Sequence, residues 1–194
     1  RYVAAYQIKE VNNSRKKPSL VDTAAKTTAG SYVVHHATVN TVSPDGSPNF
    51  GGCCNVHEVG RNAEFYDPDA GKLVEAGSQL VFSNSHLHAN GKDTNGRLDV
   101  GFKFHPRGYE PKAQSRNLFI GTSPELIDIP GMDPDVRHEG IYTLQENMKL
   151  TVFEPHMHAP GVRMCVEAIY GDEVQTLNCA GYEHSWVLAY TYAD

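Results

Sequence analysis

The stretch that decides the fold, Val162–Cys179, has the sequence VRMCVEAIYGDEVQTLNC. Residues that favour strands lie on both sides of Gly171-Asp172-Glu173, which is a turn-forming cluster. The pattern therefore predicts a β-hairpin with a three-residue loop. Pairing outward from that loop places Cys165 opposite Cys179, and directly opposed residues have Cα atoms about 4.5–5.5 Å apart, within disulfide range. We predict that bridge, with two buried free thiols as the alternative.

Similar runs of β-branched and aromatic residues recur along the chain, separated by Gly, Pro, Asn and Asp clusters. The only helix-compatible segments are short, such as Leu20–Lys26. This spacing predicts an all-β chain built as a sandwich rather than as a parallel α/β sheet. Besides the hairpin strands Val162–Tyr170 and Val174–Cys179, the predicted strands are Tyr2–Val11, Ser31–Val42, Gln79–Asn84, Leu98–Phe104, Met148–Phe153 and Trp186–Tyr192.

Prolines are concentrated between residues 106 and 140, where the chain has Pro106, Pro111, Pro124, Pro130 and Pro134. Each proline removes a donor from a strand ladder, so this density predicts a crossing between two β domains. We place the domains at residues 1–123 and 124–194. The second has only about 70 residues, which is small for a closed sandwich. We therefore expect it to be incomplete, with the chain truncated at its C-terminal end.

Composition narrows the function classes. The net charge of −6 argues against a nucleic-acid surface, which needs clustered Lys and Arg, and the basic run Arg15-Lys16-Lys17 is short. No apolar stretch approaches the ~20 residues that span a bilayer.

The four cysteines favour an oxidising location, so we expect a secreted or periplasmic protein. The pairing of the adjacent Cys53 and Cys54 stays open, beyond partial exposure in a Gly-rich loop.

Histidine is abundant, with ten residues in the chain, and six of them form three tight groups. His86 and His88 are two residues apart, as are His156 and His158. In a strand, residues i and i+2 face the same way, so each pair presents two imidazoles to one point. Neutral imidazole suits copper, zinc, iron and nickel. The groups therefore predict metal binding.

The third group, His35-His36, needs a separate argument because neighbours in a regular strand face opposite ways. The two can share an ion only if the strand is distorted or if they coordinate through different ring nitrogens. In that case one should bind through Nδ1 and the other through Nε2. The alternative is one inward and one outward histidine.

The segments around these histidines resemble the copper-ligand segments of the type II, ascorbate-dependent monooxygenases. They are YVVHH at 32–36, SHLHANGK at 85–92 and FEPHMHAPG at 153–161, in the family's order. The family includes peptidylglycine α-hydroxylating monooxygenase and dopamine β-monooxygenase, and the likeness is closest to its bacterial, secreted relatives. The resemblance implies two jelly-roll-like β-sandwiches that hold one copper each across a solvent-filled cleft.

The resemblance also implies roles for individual residues. His35, His36 and His86 would form the first, electron-transferring copper site, with His88 as the less favoured third ligand. His156 and His158 would be two ligands of the second, oxygen-activating and catalytic copper. The implied reaction is hydroxylation of a C–H bond of a small-molecule or peptide substrate by dioxygen. Ascorbate or another reductant would supply the electrons.

This chain departs from the family pattern near the second copper site. The family adds a methionine much further along, beyond the position of Asp194, and Met164 follows His158 too closely to match it. Pro160 and Val162 stand where many relatives have basic residues, which puts the substrate side in doubt. A non-catalytic copper-binding or structural subunit of a larger assembly is the alternative function. Zinc is the alternative metal, because imidazole selects weakly between the two ions.

The remaining histidines carry weaker signals. His57 is interpreted as a hydrogen-bonded loop residue, with a further metal ligand as the alternative. His105, His138 and His184 lack metal-ligand spacing, so we expect them to be surface or structural groups.

Overall fold

The computed structural model describes residues 1–13, 32–47, 49, 53–54, 56–59, 61, 63–88, 93–121, 127–183 and 189–193. These residues contain strands and no helix, which confirms the all-β class. The strands are β1 Tyr2–Asn12, β2 Val34–Val42, β3 Val56–Glu58, β4 Ala63–Phe65, β5 Ala70–Leu73, β6 Gln79–Leu87, β7 Gly96–Phe104, β8 Ala113–Gln114, β9 Val152–Phe153, β10 Arg163–Tyr170, β11 Glu173–Gly181 and β12 Tyr190–Thr191.

Some predicted features lie outside the described residues. They are the Leu20–Lys26 segment, the basic run Arg15-Lys16-Lys17, His184 and the first part of the predicted strand Trp186–Tyr192. Where the structure describes the chain, it holds no helix of the length and apolar character that crossing a bilayer requires.

Strand β1 is the centre of the largest sheet. It pairs antiparallel with β7 along most of its length and with β4 and β5 on its other edge, while β8 adds parallel to β5. The β1–β7 register shifts between Val3 and Ala5, so the buried face changes parity there. Val3 is buried before the shift, and Tyr6, Ile8 and Glu10 are buried after it.

Strand β2 is the centre of a second sheet, in the order β3-β2-β6. The main hydrophobic core joins the two sheets, because it contains Val3 and Ile8 of β1 together with Val39 of β2. Glu10 adds a polar link, since its carboxylate accepts hydrogen bonds from the backbone amides of Val33 and Val34 at 2.8 and 3.0 Å. This contact fixes the start of β2, immediately before the first histidine pair.

The β10–β11 hairpin forms, but the predicted three-residue loop is wrong. Tyr170 pairs with Glu173, which leaves a two-residue loop, and Gly171 has a φ of +63°. A positive φ at the first loop position suits glycine and matches a type II′ turn, whose twist fits antiparallel strands. A register shift next to Val166 then restores the expected pairing of Cys165 with Cys179.

Both cysteine pairs lie at disulfide-bonding distance. The sulfur atoms of Cys165 and Cys179 are 2.03 Å apart, and those of Cys53 and Cys54 are 1.90 Å apart. The expected partial exposure of the adjacent pair is wrong, because these two residues are 1% and 2% exposed. They belong to the main core, which explains their burial.

The proline-rich region contains little regular structure. Apart from β8, the described residues between β7 and β9 form no strand. The predicted strand Met148–Phe153 shortens to the two residues of β9, which pair with β12. The division into two jelly-roll domains at residue 124 stays a prediction.

Candidate metal centre

Strand β2 carries His35 and His36 through an irregular stretch. Val34 pairs with Leu87 of β6 and His36 pairs with His86, so His35 is an extra residue on β2. A second irregularity follows between His36 and Thr38. Bulges of this kind bend a strand and re-aim its side chains. The strand is therefore distorted at the point where two adjacent histidines would otherwise diverge.

His86 completes a group with these two residues, which we call the first cluster. Its ring centroid lies 5.2 Å from that of His35 and 5.3 Å from that of His36. One ring nitrogen from each of the three residues can be chosen so that all lie within 4.8 Å of one another. Three imidazoles around one ion at 2.0–2.1 Å need nitrogens about 3.5 Å apart. Small side-chain movements are sufficient to close that difference.

His88 lies just beyond the end of β6, and its backbone amide donates to the carbonyl of Val33 at 2.7 Å. Its ring stacks on that of His35, with centroids 4.6 Å apart and an interplanar angle of 24°. His88 thus stacks on one member of the first cluster without belonging to it. The first cluster contains His86 instead.

His156 and His158, which we call the C-terminal pair, lie beside the first cluster. Their Nε2 atoms are 3.1 Å apart. Two nitrogens at 2.0–2.1 Å from one ion have this separation when the angle at the ion is about 100°. The ring centroid of His36 is 5.3 Å from that of His156 and 6.1 Å from that of His158. The two groups therefore adjoin, whereas the resemblance places them across a cleft.

Two acid–base contacts hold the C-terminal pair in this position. Nδ1 of His156 is 2.7 Å from Oε1 of Glu58, whose side chain is fully buried. Two residues before His156, Glu154 forms an ion pair with Arg61. Glu58 is the last residue of β3, which pairs with β2, and Arg61 lies between β3 and β4. Because β2 carries His35 and His36, these contacts hold residues 154–158 next to the first cluster.

The pKa values of His156 and His36 are shifted in opposite directions. The hydrogen bond to Glu58 raises the pKa of His156 above its ordinary value, although partial burial opposes it. Burial lowers the pKa of His36, and the charge of a protonated His156 would lower it further. A lowered pKa favours the neutral imidazole of His36, which is the form that binds a metal ion.

His57 is not the loop residue that the sequence indicated. It lies in β3 opposite Ala37 and is 2% exposed. Burial lowers its pKa, with Glu10 and Glu58 opposing in part. His57 does not belong to the first cluster, which is the group of described histidines whose ligand atoms converge. Its position is explained by packing in the second sheet.

Glu58 and Arg61 are the residues near the centre that sequence analysis did not select. Both are buried, at 0% and 8% exposure. They belong to the segment VHEVGR at 56–61, which has no local pattern that marks them as part of a site. In a strand, His57 and Glu58 face opposite ways, so a buried His57 does not by itself predict a buried Glu58. The side-chain contact of Glu58 is with His156, which is distant in the sequence.

The other described histidines have structural contacts away from the centre. His105 stacks on Tyr109 with ring centroids 3.9 Å apart, and its Nε2 lies 3.1 Å from the carbonyl oxygen of Ala70. The exposed His138 places Nε2 3.0 Å from the carbonyl oxygen of Asp128.

No family model matches the chain, and the searches of curated proteins and of solved structures gave no match. The resemblance to the copper monooxygenases thus depends on the quoted motifs and stays a prediction. The established conclusion is an all-β chain in which His35, His36 and His86 can hold a metal ion.

Proposed function

We propose that this chain binds copper at its clustered histidines and acts as a copper-dependent monooxygenase. The observation that supports this proposal most is the convergence of His35, His36 and His86, whose ligand atoms lie within 4.8 Å of one another. The proposed substrate is a small molecule or a peptide that is hydroxylated at a C–H bond. The proposed reductant is of the ascorbate type.

The donor atoms support a transition metal. The first cluster offers imidazole nitrogens, which suit copper and zinc, whereas calcium and magnesium require oxygen ligands. Imidazole alone does not choose between copper and zinc, so the preference for copper comes from the resemblance of the three motifs. Copper would supply one-electron chemistry with dioxygen, and the protein would supply ligands, orientation and shielding.

The adjoining C-terminal pair supports a second position for an ion. The Nε2 atoms of His156 and His158 are 3.1 Å apart, and the pair is open to solvent, since the side chain of His156 is 40% exposed. An accessible ion with few protein ligands keeps positions open for dioxygen or a substrate, as at catalytic metal sites. We assign the oxygen-activating role to this pair and the electron-transferring role to the first cluster.

A non-catalytic copper-binding subunit is the second candidate function. The observation that favours it is the direct contact between the two groups of histidines, with centroids of His36 and His156 only 5.3 Å apart. A single ion bound by residues of both groups would leave fewer open positions for oxygen chemistry.

We also propose a secreted or periplasmic location. The supporting observation is that all four cysteines lie in pairs at disulfide-bonding distance. Such bridges persist in oxidising compartments and are rare in the cytosol.

Copper stoichiometry and oxygen uptake separate these candidates. The purified chain is loaded with copper, and its copper content and ascorbate-driven oxygen uptake are compared with those of H36A. H138A is the matched control, since His138 is exposed and its ring contacts the carbonyl oxygen of Asp128 rather than the clustered histidines. The monooxygenase proposal predicts protein-bound copper and oxygen uptake above that of H36A. Bound copper without that uptake supports the binding subunit, and no bound copper contradicts both.

A further inference from the structure

Glu58 has an unusual environment for a carboxylate. It lies in β3, its Cα pairs with that of His36, and its side chain is 0% exposed. Burying an ionised carboxylate is costly unless charged or hydrogen-bonding groups satisfy it. Its Oε1 atom lies 2.7 Å from Nδ1 of His156, whereas its buried Oε2 atom has no hydrogen-bond partner among the described residues.

Contact with an ionised Glu58 would select one tautomer of His156. An ionised carboxylate only accepts hydrogen bonds, so Nδ1 must donate. A neutral imidazole has one N–H group, and with that proton on Nδ1 the Nε2 atom keeps a free lone pair. That Nε2 atom is the one that lies 3.1 Å from Nε2 of His158.

A second contact of the same kind acts two residues earlier in the chain. Arg61 forms ion pairs with Glu154 and with Glu64, the latter at 2.6 Å. Glu58 and Arg61 belong to one tight turn, in which the amide of Arg61 donates to the carbonyl of Glu58 at 3.0 Å. Glu154 and His156 thus meet two partners that are held in fixed relative positions.

We propose that Glu58 is the positioning residue of the C-terminal pair. It orients His156 so that Nε2 faces the ion, while the Arg61–Glu154 ion pair holds the same segment against β3. Histidine ligands of metal sites commonly donate their other N–H to a carboxylate, and loss of that partner costs about 10–100-fold in metal affinity. The inference about affinity depends on the proposed copper function, whereas the tautomer assignment does not.

The first test uses the metal-free protein. Nitrogen-15 NMR of the imidazole rings distinguishes a protonated Nδ1 from a protonated Nε2, and the spectrum of H156A assigns the signals. We expect His156 to be the Nδ1–H tautomer in the wild-type chain and in E58Q, whose amide oxygen still accepts. In E58A the two tautomers should mix. A wild-type His156 with its proton on Nε2 overturns the proposal, whether or not any Glu58 variant folds.

The second test measures copper affinity in chains that lack the first cluster through the H36A substitution. In that background, E58A should weaken copper binding about 10–100-fold, and E58Q should weaken it only a few-fold. E146Q is the matched control, because Glu146 is an exposed partner of Arg116.

The outcomes separate the two ideas. An affinity unchanged in a folded E58A variant overturns the positioning role and leaves copper binding intact. The expected tautomers without any copper binding contradict the proposed function and retain the hydrogen-bond assignment.

Discussion

Lys72 offers a sharp test of how burial shifts the pKa of a charged group in the largest sheet. It lies in β5 and is only 2% exposed. Its Nζ donates to Oδ1 of Asn117 at 2.8 Å and lies 5.5 Å from the ring centroid of Tyr66. Burial lowers the pKa of Lys72 from 10.5 to about 8, although the charge of Glu64 partly opposes this.

The size and sign of the effect follow from that pKa. The difference of 10.5 − 8, or about 2.5 units, corresponds to about 3 kcal/mol at 1.36 kcal/mol per unit. Below pH 8 the folded protein holds a charged lysine in a poor environment. Between pH 8 and 10.5 the folded lysine loses its proton while the unfolded one keeps it. Unfolding then takes up a proton, so this group makes the free energy of unfolding rise with pH.

Denaturant unfolding of the wild-type chain and of K72M between pH 7 and 10.5 measures this contribution. The difference between the two free energies of unfolding should shift by about 3 kcal/mol in favour of the wild type across that range. K112M is the control, since Lys112 is an exposed partner of Asp69 and its variant should track the wild type. Parallel curves for the wild type and K72M would refute a depressed pKa at Lys72.

Three further predictions concern the bridge, the third ligand and the core. Replacing Cys165 and Cys179 together by serine should cost about 2–3 kcal/mol of unfolding free energy in denaturant titrations, and free thiols in wild-type protein under non-reducing mass spectrometry would contradict the bridge. In copper titrations, H86A should lose the ion of the first cluster, whereas H88A should retain it, because His88 only stacks on His35. Equal losses of copper in the two variants would contradict that distinction. I8A should lower the unfolding free energy by about 2–5 kcal/mol, because Ile8 is 1% exposed and truncation leaves a cavity; a loss no larger than that of the exposed-site variant I169A would contradict the core assignment.

Long strands with clear alternation were predictable from the sequence. β1, β7 and the β10–β11 hairpin all lie within a few residues of their predicted bounds. The strands missed were β3, β4, β5 and β8, which have two to four residues each. A period of two residues has no room to show itself in such short segments, so tertiary pairing alone defines them.

Sequence analysis selected the three histidines that form the first cluster, but not the way in which the chain brings them together. The metal prediction used strand geometry, in which residues i and i+2 face the same way, but His88 lies after β6, and His156 and His158 lie between β9 and β10. His86 and His88 do not converge, because their ring centroids are 6.3 Å apart and the metal-binding group contains His86 alone of the two. The bulge at His35 was not predictable, because it depends on how β6 pairs with β2. The Glu58–His156 contact spans 98 positions in sequence, and no local pattern encodes a contact of that range.

The central claim is that the first cluster binds copper through three imidazoles. X-ray absorption spectroscopy of the copper-loaded H156A/H158A double variant tests it directly, because this variant keeps the first cluster and lacks the C-terminal pair. We predict three nitrogen ligands at about 2.0–2.1 Å, with the outer-shell scattering typical of imidazole. Copper bound by fewer than three imidazoles, or the absence of bound copper in this variant, would contradict the account.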